Sequence, residues 1–382
     1  MVTSFIPESI ESPCFVIDTA LLKKNLETVS QIKKRAGIKI LMAQKAFSTF
    51  EIYPQIAEKL DGVAASGLYE AKLGSEHFKK EVHTYCPAFR DDEINTICEL
   101  SDHVIFNSAG QIDKFKQQIK NYSDTTSFGL RVNPECSVTS PPIYDPCAPG
   151  SRLGVTQQQI KNADLSPIKG FHFHALCEQN SDALEKVLLT FEKRFAQFLP
   201  ALKWVNIGGG HNFTSGDYNI DHFVRIITGF KRRHPALEIF AEPGSAVVRD
   251  TGVLVAQVLD IVENSGKTAI LDISCTCHTP DIIEMPYRAS VQNEVPLNKA
   301  KYKYRLGGIS CLAGDNFGEY GFNRELNTGD KIIFNDMAHY TTVKTTMFNG
   351  VRHPSIALYN SKDGSHRVIK SFSYNDFKNR LG

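Results

Sequence analysis

The chain has 382 residues, with 43 Lys and Arg against 42 Asp and Glu and a net charge of +1. Hydrophobic residues at 42% and charged residues at 22% describe a globular protein long enough for two domains, or for one large barrel with an appendage. Balanced charge gives no electrostatic reason to expect a nucleic acid or an anionic membrane as partner, and no apolar run approaches the ~18 residues that span a bilayer. Nine scattered cysteines without a framework spacing fit reduced thiols rather than disulfides. The opening MVTSFIPESIESP lacks a basic segment followed by an apolar one, so a cytoplasmic location is expected.

In chain order, short β-rich runs are predicted at 39–43, 62–66, 82–86, 104–107, 127–132, 170–175, 204–207 and 238–241. Between most of them lie amphipathic stretches, at 19–35, 69–79, 108–120, 183–198 and 218–233. Their apolar residues recur every three or four positions, as in helices packed on a sheet. Eight such repeats point to a (β/α)8 TIM-like barrel; a doubly wound open sheet has the same rhythm. From Gly252 the pattern changes to strands with few helices, in VLVAQVLDIVE, TAILDIS, KIIFNDM and IALYNS. The expected organisation is a barrel over 15–250 and a β-rich, barrel-like C-terminal domain over 251–382, joined by the N-terminal segment 1–14. The Pro- and Ser-rich stretch 133–153 predicts an extended loop over the barrel mouth.

Active sites of such barrels gather at the C-terminal ends of the strands. The first predicted strand is followed by Lys45, the fifth contains Arg131, and the sixth carries His172 and His174. The seventh leads into Gly208, Gly209 and Gly210, and the eighth into Glu242-Pro243-Gly244. A partly desolvated lysine can form a Schiff base, although a strand-end lysine more often snorkels to solvent. The glycines can bring backbone N–H groups close to a phosphate, or form only a tight turn. Glu242 can keep a heterocyclic nitrogen protonated, or pair with an arginine. His174 can stack on a flat ring, or be a satisfied core histidine. In the second domain, Cys311 lies in the Gly-flanked loop GGISCLAGD and can donate a proton to a carbanion; a buried structural thiol is the alternative. Tyr340, in MAHYTTVK, can donate to a phosphate. Cys275-x-Cys277-His278 looks superficially like a metal site, but no second cluster with structural-zinc spacing accompanies it, so no metal is expected.

Taken in order, Lys45, His174, Gly208-Gly209-Gly210, Glu242-Pro243-Gly244, Cys311 and Tyr340 resemble the pyridoxal-phosphate-dependent basic amino acid decarboxylases. These are the alanine-racemase-like barrel enzymes that act on ornithine and diaminopimelate among other substrates. Within the group, HTYCPAFRDDEI, FHFHALCE, KWVNIGGGH and CLAGDNFGEYGF look most like the carboxynorspermidine/carboxyspermidine decarboxylase family.

The resemblance implies pyridoxal 5'-phosphate as cofactor, with Lys45 holding it, His174 on its ring and Gly208–Gly210 at its phosphate. It further implies Glu242 at the ring nitrogen, Tyr340 at the phosphate, and Arg131 and Gly244 nearby. It implies a homodimer in which Cys311 is supplied across the interface, and a carboxylated polyamine as substrate. Ser245 stands where ornithine decarboxylases have arginine, a position expected to meet substrate. Leu312 follows the cysteine where those enzymes have Asp, which argues against ornithine. In His278-Thr279-Pro280-Asp281, followed by Met285-Pro286-Tyr287, Asp281 is the best candidate for an amine contact. Asp315 and Glu319 are further carboxylates available for the substrate's ammonium groups. An amino acid racemase is disfavoured by Glu242 and Cys311. A non-catalytic regulatory relative is disfavoured because Lys45 and Cys311 are both present.

Overall fold

The computed structural model describes residues 9–285 and 287–382; the expected N-terminal contribution of residues 1–8, and Pro286, lie outside the described residues. Strand β1 (Cys14–Asp18) runs into the helix Thr19–Ala36. Asp18 Oδ1 accepts from the N–H groups of Ala20 and Leu21 and so caps the helix start. Leu22, Leu26, Val29 and Ile32 form its buried stripe. Lys33, Lys34 and Arg35 fill the last turn, where cations complement the helix dipole.

Eight parallel strands follow: β2 (Lys39–Ala43), β3 (Gly62–Ala65), β4 (Glu81–Tyr85), β5 (His103–Phe106), β6 (Ser127–Arg131), β7 (Gly170–His172), β8 (Trp204–Asn206) and β9 (Glu238–Ala241). Each pairs with the next and β9 pairs with β2, so the barrel closes and the open-sheet alternative falls. Leu41, Ile105, Trp204 and Phe240 form an apolar cluster within it. The 69–79 helix is realised as an α-helix over Leu68–Leu73 followed by a π-helical turn over Gly74–Phe78. The 108–120 stretch breaks at Phe115 into two short helices, Ala109–Lys114 and Lys116–Tyr122.

The remaining strands are β10 (Gly252–Glu263), β11 (Lys267–Leu271), β12 (Tyr302–Gly307), β13 (Asn316–Phe322), β14 (Lys331–Asn335), β15 (Ser355–Tyr359) and β16 (His366–Lys370). They form one sheet with β1, in the order β13-β12-β11-β10-β1-β15-β16, with β14 also on β10. The core of this unit gathers Leu254, Leu271, Tyr304, Tyr320 and Phe334.

The chain divides into two compact units, Asn25–Val247 and, among the described residues, those up to Lys24 with Val248–Gly382. The barrel was expected to start at residue 15. Instead β1 is antiparallel to β10 and parallel to β15, so its backbone pairing ties it to the C-terminal sheet. No helix among the described residues is long and apolar enough to cross a membrane.

Candidate active site

In the barrel unit, the residues singled out at the strand ends converge. Lys45 lies in a tight turn after β2, closed by Ala46 N–H to Ala43 O at 3.1 Å and Phe47 N–H to Gln44 O at 3.0 Å. Buried Gln44 anchors that turn: its Nε2 donates to Glu70 O at 2.8 Å, and Tyr53 Oη donates to its Oε1 at 3.0 Å. The Lys45 side chain is exposed to solvent, yet much of its surroundings is protein, which desolvates the ammonium. That desolvation, then the Arg131 charge, hold its ammonium below the ordinary lysine value against the opposing fields of Glu242, Glu70 and Cys177.

Glu242 is 7% exposed. Its Oε1 accepts from Asn206 Nδ2 at 2.7 Å and its Oε2 lies 3.3 Å from His172 Nε2. Burial opposes ionisation of this carboxyl. The donors His172 and Asn206, with the His172 and His83 fields, outweigh it and hold the group below the usual carboxylate range. Burial also lowers His172, against the raising field and hydrogen bond of Glu242, and its Nε2 donates to the carboxylate.

Gly208, Gly209 and Gly210 lie between Glu242 and the segment after β7. A Cβ there would stand 2.3 Å from Phe173 O, 2.3 Å from Glu242 O and 2.1 Å from Leu176 O, respectively. With φ of +69° at Gly208 and +82° at Gly210, only glycine fits this turn. Gly209 N–H donates to His174 Nδ1 at 3.2 Å. Burial first, then the Lys45 and Arg131 charges, push His174 well below its ordinary value, so the ring is neutral. Arg131 donates to His174 O at 3.2 Å and stacks over Tyr85, 4.6 Å from the ring centroid. At Gly244, a Cβ would meet Ala46 Cβ at 2.6 Å, so glycine lets the end of β9 approach the Lys45 turn. Ser245 opens the short helix after it.

In the other unit, Cys311 is an exposed free thiol whose N–H donates to Asn349 Oδ1 at 2.9 Å. Asp281 is ion-paired with Lys344 Nζ, which also meets Glu284 Oε2 at 2.5 Å. Tyr340 is partly buried with φ of +51°.

Residues 14–338 match the family described as pyridoxal-dependent decarboxylase, C-terminal sheet domain. The chain belongs to the pyridoxal-dependent decarboxylases. It is 44% identical to a carboxyaminopropylagmatine decarboxylase of Synechocystis, over 98% of this chain and 96% of that protein. It is 41% identical to a carboxynorspermidine/carboxyspermidine decarboxylase of Campylobacter jejuni, over 98% of this chain and 99% of that one. The crystal structure of the Campylobacter jejuni carboxynorspermidine decarboxylase complexed with norspermidine superposes with a TM-score of 0.90 at 40% identity, covering 97% of this chain and 100% of that chain. The resemblance read from the motifs agrees with these matches.

Within this decarboxylase the barrel brings together Lys45, Arg131, His174, Gly208–Gly210, Glu242, Gly244 and Ser245. Asp315 was expected to meet substrate, but it is only 6% exposed. Its Oδ1 accepts from Cys275 N–H at 2.6 Å and Thr276 N–H at 3.3 Å, and its Oδ2 from Ser310 N–H at 3.1 Å. With three backbone amides on it, this carboxylate organises the Cys311 loop. Cys275 and Cys277 are buried free thiols in a short helix. The His/Cys/Asp/Glu groups close enough to share an ion among the described residues lie elsewhere, at Glu81-His83-His103 and His172-His174-Glu242. Sequence reasoning missed Asn206, the tie between His172 and Glu242, Tyr85 under Arg131, and Glu70. The available signal was that Asn206 and His172 lie in the motifs KWVNIGGGH and FHFHALCE; the structure adds that they end barrel strands paired in register.

Proposed function

We propose that this protein uses pyridoxal 5'-phosphate to decarboxylate an α-carboxylated polyamine, carboxynorspermidine or carboxyspermidine, giving norspermidine or spermidine and CO2. The observation that carries the reading is 41% identity to the Campylobacter jejuni enzyme across 98% of this chain. The barrel mouth described above supports it.

The residues present fit the cofactor. Gly208–Gly210 form a close-packed turn that tolerates no Cβ, beside His174 and Glu242, and the assignment puts the phosphate at this turn. Lys45, with its ammonium held below the ordinary lysine value, offers an amine for an aldehyde. Glu242 offers an ionised carboxylate to a ring nitrogen, and His174 a neutral flat ring for stacking. Arg131, Gly244 and Tyr340 complete the cofactor's surroundings in this assignment.

Bound, the cofactor supplies an electron sink for the pair left when CO2 departs. The chain's own residues do the rest. Glu242, kept charged by Asn206 and His172, holds a proton at the ring nitrogen. Cys311 delivers a proton from Sγ to the substrate α-carbon. Lys45 takes and returns a proton at Nζ as amines exchange. Asp281 receives a distal ammonium, displacing Lys344, and Ser245 faces the substrate chain. We assign Cys311 to the site of a second copy in a homodimer with shared sites, and the enzyme to the cytoplasm.

A second reading is favoured by the 44% identity to the Synechocystis protein: a substrate ending in a guanidinium, carboxyaminopropylagmatine. The Asp281 and Glu284 carboxylates, both held by Lys344, suit a guanidinium as well as an ammonium. A product assay with carboxynorspermidine, carboxyspermidine and carboxyaminopropylagmatine, with ornithine and diaminopimelate as controls, tests both. Turnover of the carboxylated triamines with the highest kcat/KM supports the first reading. Preference for the guanidino substrate replaces it with the second, and turnover of the controls alone overturns both.

A further inference from the structure

Asn206 occupies the last position of β8 and is fully buried. Its side-chain amide makes two bonds at once. Nδ2 donates to Glu242 Oε1 at 2.7 Å, and Oδ1 accepts from Gly208 N–H at 2.9 Å. The amide cannot be reversed, because a carboxylate only accepts and a backbone N–H only donates. A second tie runs beside it, from Glu242 N–H to Gly208 O at 2.7 Å. One amide therefore spans the carboxylate at the end of β9 and the first glycine of the turn. Its register partner His172 supplies the other donor to Glu242, at 3.3 Å.

We infer that Asn206 is a positioning residue that couples two halves of the cofactor site, keeping Glu242 charged and aimed while fixing the Gly208–Gly210 cradle. His172 shares only the first of these tasks. The inference rests on the cofactor reading above and deepens it. Neither residue touches the reacting atoms in this assignment; both act through Glu242. Aspartate at 206 would keep an acceptor for Gly208 N–H. It would also replace the donor to Glu242 by a like charge, which disfavours the ionised carboxylate. Alanine would remove both bonds, and the cradle would lose its anchor as well.

The test uses the full-length enzyme loaded with pyridoxal 5'-phosphate, and four variants: Asn206→Asp, Asn206→Ala, His172→Gln and Glu242→Gln. The readouts are cofactor dissociation, the visible spectrum of bound cofactor against pH, and the acid limb of kcat. Asn206→Asp is expected to bind cofactor within about threefold of wild type, to lower kcat by about ten- to a hundredfold, and to shift the spectral transition and acid limb toward higher pH. Asn206→Ala is expected to lose cofactor affinity as well, by about tenfold or more. His172→Gln, which leaves the cradle alone, should alter the pH response and leave cofactor affinity unchanged. Melting curves identify any variant that fails to fold, and His172→Gln keeps the Glu242 arm of the test open in that event.

Wild-type spectra and pH profile in folded Asn206→Asp would overturn the inference, as would equal loss of cofactor from the two Asn206 variants. Glu242→Gln separates this from failure of the underlying reading. If Glu242→Gln changes the spectrum and Asn206→Asp does not, the coupling is wrong. If Glu242→Gln itself changes nothing, the assignment of Glu242 is wrong and the coupling falls with it.

Discussion

Gly209 N–H donates to Nδ1 of His174 at 3.2 Å, which makes Nδ1 the acceptor and leaves any ring hydrogen on Nε2. The bond fixes the imidazole against the glycine turn, so the residue assigned to stack on the cofactor and the residues assigned to its phosphate form one rigid piece. Protonation of Nδ1 would break it, and burial prevents that by holding His174 well below its ordinary value.

Lys45 is the expected point of covalent attachment. Wild-type enzyme treated with borohydride should carry cofactor fixed to the peptide that contains Lys45, by mass spectrometry. Lys45→Ala should lose the visible band and all borohydride-stable attachment. Cofactor fixed to another lysine in that variant would refute the assignment.

Glu242→Gln should retain cofactor yet decarboxylate about ten- to a hundredfold more slowly, since a charge-assisted hydrogen bond is worth roughly 1.5–3 kcal/mol. Single-turnover rates with saturating substrate measure this. An unchanged rate with cofactor in place would remove Glu242 from the ring nitrogen.

Asp281→Asn should raise KM for the polyamine substrate by about tenfold or more and leave kcat within about threefold, because an exchanged ammonium contact holds substrate without reaching the reacting carbon. Steady-state kinetics separate the two constants. A fall in kcat at constant KM would place Asp281 elsewhere in the mechanism.

Complementation tests the shared site. Inactive Lys45→Ala and inactive Cys311→Ala proteins, mixed equally under subunit exchange, should recover about a quarter of wild-type activity. Half the dimers are then mixed, and each mixed dimer has one intact site. No recovery, with exchange shown by differently tagged chains, would put both residues in a site built by one chain.

His211 predicts a pH-dependent stability. It is 2% exposed and stacks on Phe213, with centroids 5.1 Å apart. Burial lowers its value to about 4, against the raising effect of the Gly208 and Ile207 backbone. Between that value and the ordinary ~6.5 the unfolded chain takes up a proton that the folded protein refuses. Stability from this group is therefore present above about pH 6.5 and is lost as pH falls toward 4, by up to about 1.4 kcal/mol per pH unit. His211→Phe should flatten the fall in melting temperature between pH 7 and 5. An unaltered slope would show that other groups carry it.

The barrel was legible because the βα rhythm is a local signal that repeats. The run 39–43 is the observed β2, and 238–241 is the observed β9. Isolated strands of the C-terminal sheet were harder to read. β1, β12, β13 and β16 were not picked out, and the expected barrel boundary at residue 15 cut through β1. β12 alternates between exposed and buried positions, with charged residues on its open face. That alternation is a strand pattern, and β11 and β13 pair with it on either side.

By itself the sequence determined which chemistry was available. Lys45, the three glycines, Glu242-Pro243-Gly244 and Cys311 are short-range patterns whose residue types restrict what each strand end can do. Only the tertiary structure decided what each carboxylate is free to do. The sequence offered Glu242 to a ring nitrogen and Asp315 to a substrate ammonium. Folding gives Glu242 two side-chain donors at the end of β9, while it surrounds Asp315 with three backbone amides. Ser310 lies five residues before Asp315, but the other partners come from elements distant in the chain, and no local pattern encodes them. Asn206 lies within KWVNIGGGH, and its bond to Gly208 N–H is local, but its bond to Glu242 exists only once β8 and β9 are packed together.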